Sequence, residues 1–353
     1  MNKKSGVKVA LLLTAFLSIA LLAGCNPPEQ YFVFGTFLEI DLSGTSAKTE
    51  SEIVERLNKT DGLMSATIAG GDIYRINKAA AGEAVSVSAE TTALLLLCRE
   101  LYDLTDGAFN PALRPITALW GFTPETFTLP GSVRVPPDAA VIEEALPLCG
   151  FSAEDFTIDK NANTVTKRLS GAELDLGAIA KGYAAEQAAA IAAKASKNAS
   201  GIINLGGNIF AVGGAQNIGI GNPRTSSLPY FGSLPVSGGI STSGDYQRYY
   251  VYEDAVYSHI IDGRTGYPAN YSLNYPSKSN IISVSVTCAN GAVADALSTS
   301  LFVLGYERGV KLLTFYEAGA VFVFDDMTYA VIGIDGFKLN DGAYTEALLK
   351  TPR

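Results

Sequence analysis

Leu174-Asp175-Leu176-Gly177-Ala178-Ile179-Ala180-Lys181-Gly182-Tyr183 runs without a break into an alanine-rich stretch that ends near Lys197. Alanine is the strongest helix former, so its density predicts a helix over 178–197. Gly177, just ahead, leaves the first N–H groups of that helix facing whatever lies beyond its start. Downstream the pattern turns to strands at 201–204, 249–252, 281–288, 320–324 and 330–333, with one helix at 292–304. Upstream, 31–40 reads as a strand, 49–57 and 89–104 as helices, 123–137 with Pro130, Gly131, Pro136 and Pro137 as a surface loop, and 156–168 as a hairpin. Helices and strands interleave without regular βαβ spacing, which predicts an α+β fold of mixed sheets with flanking helices.

The chain has 353 residues, 48% of them apolar, enough for a large core. Its 26 Lys and Arg stand against 35 Asp and Glu. That formal charge of −9 excludes a nucleic-acid binder, which needs a basic face. With 17% charged residues it is neither disordered nor a coiled coil. An anionic ligand would need a local cation or a helix N-terminus to overcome the global field.

Lys3, Lys4 and Lys8 precede an uncharged run over 9–23 that ends in Leu21-Leu22-Ala23-Gly24-Cys25. The run is short for a membrane span and has the shape of a secretory signal. Residues 1–24 therefore read as a lipoprotein signal peptide, Cys25 as the lipidated residue and 25–31 as a tether containing Asn26-Pro27-Pro28. A plain membrane anchor with an incidental cysteine is the alternative. Processing would remove three lysines and take the formal charge to −12. Lipid chains would hold residues 32–353 on a bacterial membrane, facing the periplasm or the cell exterior. Cys98, Cys149 and Cys288 form no C-x-x-C pair, and both Cys98 and Cys288 read as small buried hydrophobes. Cys288 continues an alternating face with Ile282, Val284 and Val286.

Four segments carry chemistry-bearing residues. Around Gly177, Asp175 lies just ahead of the helix and Lys181 in its first turns; a capping acid and a solvated lysine would look the same. Ile203-Asn204-Leu205-Gly206-Gly207-Asn208-Ile209 is a strand entering a double glycine, a turn or a place of close approach. Ser241-Thr242-Ser243-Gly244-Asp245-Tyr246 is a polar nest or an ordinary loop. Just downstream stands His259, the only histidine and so the only side chain with an ordinary pKa near neutrality. It precedes the turn Gly263-Arg264-Thr265-Gly266-Tyr267-Pro268 and is structural or catalytic. In the fourth segment, Asp295 and Thr299 share a helix face, with Ser298 beside them. Such oxygen ligands suit a hard cation such as Mg2+, although a solvated Asp295 and a back-bonded Thr299 would give the same spacing.

In this order, 175–183, 204–208, 241–246, 259–268 and 295–299 resemble the ApbE family of bacterial FAD:protein FMN transferases. Phe34-Gly35-Thr36-Phe37, Thr105-Asp106-Gly107-Ala108-Phe109-Asn110-Pro111 and Leu119-Trp120-Gly121-Phe122 fit the same pattern. The resemblance implies two lobes around a cleft that holds FAD and Mg2+. FMN would pass through its phosphate to a Thr or Ser of an extracytoplasmic electron-transfer protein, and AMP would leave. It implies metal ligation by the Ala178 main-chain oxygen, Asp295 and Thr299, with Ser298 adjacent. FAD contacts would fall at Asp175, Lys181, Ala108, Phe109, Asn110, Ile260 and Ile261, and His259 would activate the acceptor hydroxyl. Thr67 stands where relatives commonly have a tyrosine, and Asn110 where they often have Asp. Some members hydrolyse FAD to FMN and AMP, so an FAD pyrophosphatase is one alternative. A lipid-anchored protein that only binds flavin or another solute is another.

Overall fold

The computed structural model describes residues 31–127, 129–224, 228–269 and 281–348. The signal segment, Cys25 and most of the tether lie outside these residues. Eight α-helices are described: α1 (Ala47–Met64), α2 (Asp72–Lys78), α3 (Ala89–Leu104), α4 (Arg114–Trp120), α5 (Ala139–Ala145), α6 (Ala180–Ala195), α7 (Gly291–Leu304) and α8 (Tyr306–Phe315). No helix among them is long and apolar enough to cross a membrane. The fold is α+β, as the interleaving predicts.

Its centre is a nine-stranded sheet. From one edge the order is Tyr31–Val33, Thr36–Ser43, Ser200–Leu205, Asn208–Val212, Gly239–Gly244, Ile281–Cys288, Gly319–Phe324, Thr328–Ile332 and Thr345–Glu346. Every neighbouring pair is antiparallel except the last. One face carries the helices. Val284, Val286 and Phe322 pack there with Ala294, Leu297 and Leu301 of α7, all buried. Farther along, Ile53 and Leu57 of α1 meet Ala184, Ala188 and Ala192 of α6 over Ile203 and Leu205. Burying one Ile or Leu in this way contributes about 1.5–3 kcal/mol. The other face is covered by a small sheet whose Phe231 and Leu234 meet Ile240, Val321 and Val323. A separate aromatic core lies under α4 and the hairpin Tyr249–Tyr252/Ala255–Ser258, where Trp120 donates to the Gly266 carbonyl at 2.7 Å.

Three expectations are corrected. Residues 31–40 are two strands, because Phe34 and Gly35 both take left-handed φ (54° and 66°) and reverse the chain. The segment 241–246 is mostly strand: Gly239–Gly244 sits in mid-sheet, with Ser243 on the face that meets α7 and Thr242 on the opposite face, where its hydroxyl meets Ser285. Ile282 does not share a face with Val284 and Val286. The register shifts between Ile281 and Ser283, so Ile281 joins the helix-side core and Ile282 the opposite one. Cys98, Cys149 and Cys288 are free and buried.

α6 and α7 cross where both begin. A Cβ on Gly182 would run into the Gly291 carbonyl and lie 2.7 Å from the Asp295 Cβ. Both obstacles are held by the backbone of α7, so neither gives way. Gly182→Ala is therefore expected to destabilise the fold by about 2 kcal/mol, despite the better helix propensity of alanine. Urea unfolding of the variant checks this, with an unchanged midpoint as the contrary result.

Candidate functional site

Asp295 lies one turn into α7 and is nearly inaccessible, with 5% exposure. It is not solvated. Its Oδ2 accepts from the Gly182 N–H at 3.0 Å, and the Lys181 amide faces the same carboxylate. α6 has no side-chain cap of its own, and Ile179 ahead of it leaves helical geometry (φ −149°, ψ −30°). Asp295 thus caps α6 from another helix, where the helix dipole favours a negative charge. A consequence falls on Ala178. The Gly182 N–H that would close a turn onto the Ala178 carbonyl is given to Asp295 instead. The Ala178 carbonyl, one turn ahead of Gly182, is left with no donor among the described hydrogen bonds.

Hydroxyls close the other side. Ser243 Oγ lies 2.8 Å from Ser298 Oγ and 3.2 Å from Thr299 Oγ1, and Ser298 Oγ donates to the Asp295 carbonyl at 2.8 Å. Lys181 Nζ stands 4.0 Å from Asp295 Oδ2 and donates to the Gly177 carbonyl at 2.6 Å. Burial raises the Asp295 carboxyl above the usual range, against the pull of Lys181 and the two amides. Lys181, Asp295, Ser298 and Thr299 are therefore brought together, with Ser243 between the two hydroxyls of α7. Among the described residues no group of three or more His, Cys, Asp or Glu side chains is placed to hold a metal. One carboxylate with hydroxyls and a main-chain carbonyl nearby in sequence are oxygen donors of the kind a hard cation that keeps part of its water takes.

His259 follows the strand Ala255–Ser258 by one residue, and its N–H continues the hairpin to the Arg248 carbonyl at 3.0 Å. Its Nδ1 lies 3.2 Å from the same oxygen. A carbonyl only accepts, so Nδ1 carries the proton and the Nε2 lone pair is free. Burial pushes the imidazole pKa down to about 3, helped by the charges of Arg248 and Lys181. The ring is held edge-on to Phe122 and stays neutral at physiological pH.

Asp175 is tied on three sides. Its N–H donates to the Pro111 carbonyl (2.7 Å), its Oδ1 accepts from Gly177 N–H (2.8 Å), and its Oδ2 lies 3.6 Å from Arg114 Nη1. Asn77 grips the preceding residue, donating to the Leu174 carbonyl and accepting from its N–H. Asn110 is similarly spent, on the Cys149 carbonyl (2.8 Å) and the Ala112 N–H (2.8 Å). Ala108, Phe109, Ile260 and Ile261 are buried in the core. Sequence reasoning missed Gly182, Gly291 and Arg114 as parts of this site, while Ser243 lies in the segment it read as a polar nest or an ordinary loop. A glycine interrupting an alanine-rich helix was the available signal for the first.

A family model described as the ApbE family matches residues 34–323. An FAD:protein FMN transferase of Treponema pallidum is 32% identical over 346 residues, covering 90% of this chain and 91% of its own. One from Klebsiella pneumoniae is 31% identical over 277 residues, covering 77% and 81%. The crystal structure of the ApbE protein from Thermotoga maritima superposes with a TM-score of 0.73 at 30% identity, over 84% of this chain and 94% of that one. The flavin transferase ApbE from Vibrio cholerae gives 0.68 at 25% identity, over 84% and 92%. A match of this extent, with relatives at 30% identity or more over most of both chains, makes this chain a member of the ApbE family.

Proposed function

We propose that this chain is an enzyme that transfers FMN from FAD, through its phosphate, to a Thr or Ser hydroxyl of a partner protein, releasing AMP. The relatives' shared name supports the reaction class. One observation carries the reading to these residues: the buried Asp295 carboxylate on the Gly182 N–H, one turn past the unmet Ala178 carbonyl, with the hydroxyls of Ser298, Ser243 and Thr299 on the same side of α7. We assign Asp295, Thr299 and the Ala178 carbonyl to Mg2+, with Ser298 adjacent. Bound there, the ion would withdraw charge from the pyrophosphate.

The protein's own groups account for the rest. Lys181 supplies a fixed positive charge next to Asp295, in a chain too acidic to attract FAD by its overall field. The neutral His259 Nε2 takes the proton of the acceptor hydroxyl as its oxygen attacks the FMN phosphorus. The bond from that phosphorus to the bridging oxygen breaks, and AMP leaves with the electron pair. The fixed Nδ1–Arg248 contact holds the ring without a carboxylate partner.

Cys25 and the signal-like segment support a lipid-anchored enzyme on the outer face of a bacterial membrane, acting on an extracytoplasmic electron-transfer protein. FAD hydrolysis would use the same site with water in place of the hydroxyl. Thr67, the residue that raised this alternative, stands exposed between α1 and α2 with its hydroxyl 3.1 Å from Ser65 Oγ. Incubation of the full chain in detergent with FAD, Mg2+ and an acceptor domain is expected to give a flavin-fluorescent acceptor band that survives SDS, with AMP released in step. AMP and FMN released equally fast without acceptor would establish hydrolysis instead, and unchanged FAD would refute both.

A further inference from the structure

α6 and α7 carry the same short pattern at their crossing, a glycine followed four residues later by an acid: Gly182 with Glu186, and Gly291 with Asp295. Each acid serves the other helix. Asp295 accepts from Gly182 N–H at 3.0 Å, and Glu186 Oε2 accepts from Gly291 N–H at 2.8 Å, with the Ala292 amide facing the same carboxylate. The first amides of α7 are thereby accounted for. Gly291 and Ala292 meet Glu186, Val293 donates to Asn290 Oδ1 at 2.9 Å, and Ala294 donates to the Asn290 carbonyl at 3.0 Å.

The two caps differ in their surroundings. Asp295 has Lys181 and the hydroxyls of Ser298 and Ser243 near it, whereas Glu186 meets the backbone amides at the start of α7. We infer that Glu186 is a positioning residue for the Asp295 site: its grip on the start of α7 sets where Asp295, Ser298 and Thr299 stand against the first turn of α6. The glycines let the backbones touch, and the crossed carboxylates fix the register of that contact. A one-sided cap would leave α7 free to slide or roll, and Asp295 would move relative to the Ala178 carbonyl with it.

This inference rests on reading Asp295 as a metal ligand, so the test reads metal binding directly. Mn2+ alone is titrated calorimetrically into the full chain in detergent. Partners that orient a metal ligand typically control affinity by 10–100-fold, so Glu186→Asp, which keeps the charge but falls short of Gly291, is expected to weaken Mn2+ about tenfold. Glu186→Gln still accepts from Gly291 and is expected to lose about threefold. A merely electrostatic role would give the reverse order, and Mn2+ affinity unchanged in Glu186→Asp overturns the inference. Should Glu186→Asp not fold, Glu186→Gln decides: a loss that persists in about 0.5 M KCl is positional, and one that salt erases is charge alone. Asp295→Asn separates the two readings. If that variant binds Mn2+ like the parent, the metal assignment fails; if it does not bind while the Glu186 variants match the parent, only the clamp fails.

Discussion

Asp295→Asn is expected to lower the rate of FMN transfer by about a thousandfold while leaving the fold intact. The reason lies in the two tasks of one carboxylate. As a cap it needs only an oxygen to accept from Gly182 N–H, and an asparagine oxygen at the same place supplies one. As a cation ligand it needs its negative charge, which the amide lacks. Circular dichroism and thermal unfolding should therefore stay close to the parent, because a buried carboxylate that burial already disfavours is exchanged for a neutral isostere. Mn2+ affinity and turnover should fall together. A variant that folds, binds Mn2+ weakly and still transfers FMN at a tenth of the parent rate or better would remove Asp295 from the chemistry. Asp295→Ala is the poorer test, since it also uncaps α6 and mixes a folding defect with a catalytic one.

The two readings of Asp295 left open by spacing are separated only by a contact that spans 113 residues. That the helix at 291–304 exists, and that Asp295 and Thr299 share a face of it, was legible, because helical periodicity is a local property. That the carboxylate is buried and caps α6 was not, because capping across helices leaves no trace in the spacing of either one. The same holds for Ser243. Its strand is rich in Ser, Thr and Gly, which reads as a loop, yet it pairs with Ile281–Cys288 along its full length. Its hydroxyls are tolerated in mid-sheet because Ser298, Thr299 and Ser285 satisfy them from neighbouring elements. Ile282 shows the opposite failure. Its place in an alternating run was plain, but one irregular residue in the ladder inverts the face, and nothing in the composition marks it. The residues expected to meet FAD fall between these cases. Their segments are recognisable, whereas the core burial of Ala108, Phe109, Ile260 and Ile261 depends on tertiary packing that local sequence does not show.

Replacing the single histidine gives the other large effect. His259→Gln is expected to slow transfer about a thousandfold, within the range for loss of a positioned general base, with FAD binding retained. Glutamine can keep a donor on the Arg248 carbonyl and so preserves the hairpin end, but its amide takes no proton at neutral pH. The pH behaviour distinguishes a half-buried imidazole held neutral from an ordinary histidine. With the imidazole pKa pushed down to about 3 by burial and by Arg248, its lone pair is available across the whole neutral range. The acid limb of kcat/KM that an exposed histidine would place near pH 6.5 should therefore be absent in the parent enzyme. Because no other histidine exists, the ring protons can be followed by NMR in an untagged chain without assignment, and their shifts should not titrate between pH 8 and 5. Stability responds with a definite sign. The unfolded chain binds a proton at His259 as pH falls through about 6.5, while the folded chain refuses it until about pH 3, so acid weakens the parent in that window. His259→Gln lacks this linkage and should lose less stability than the parent between pH 7 and 4. Ring protons that titrate near pH 6.5 would show the imidazole open to solvent, and the proton-acceptor role would then have to be carried by its charged form's conjugate only above that pH.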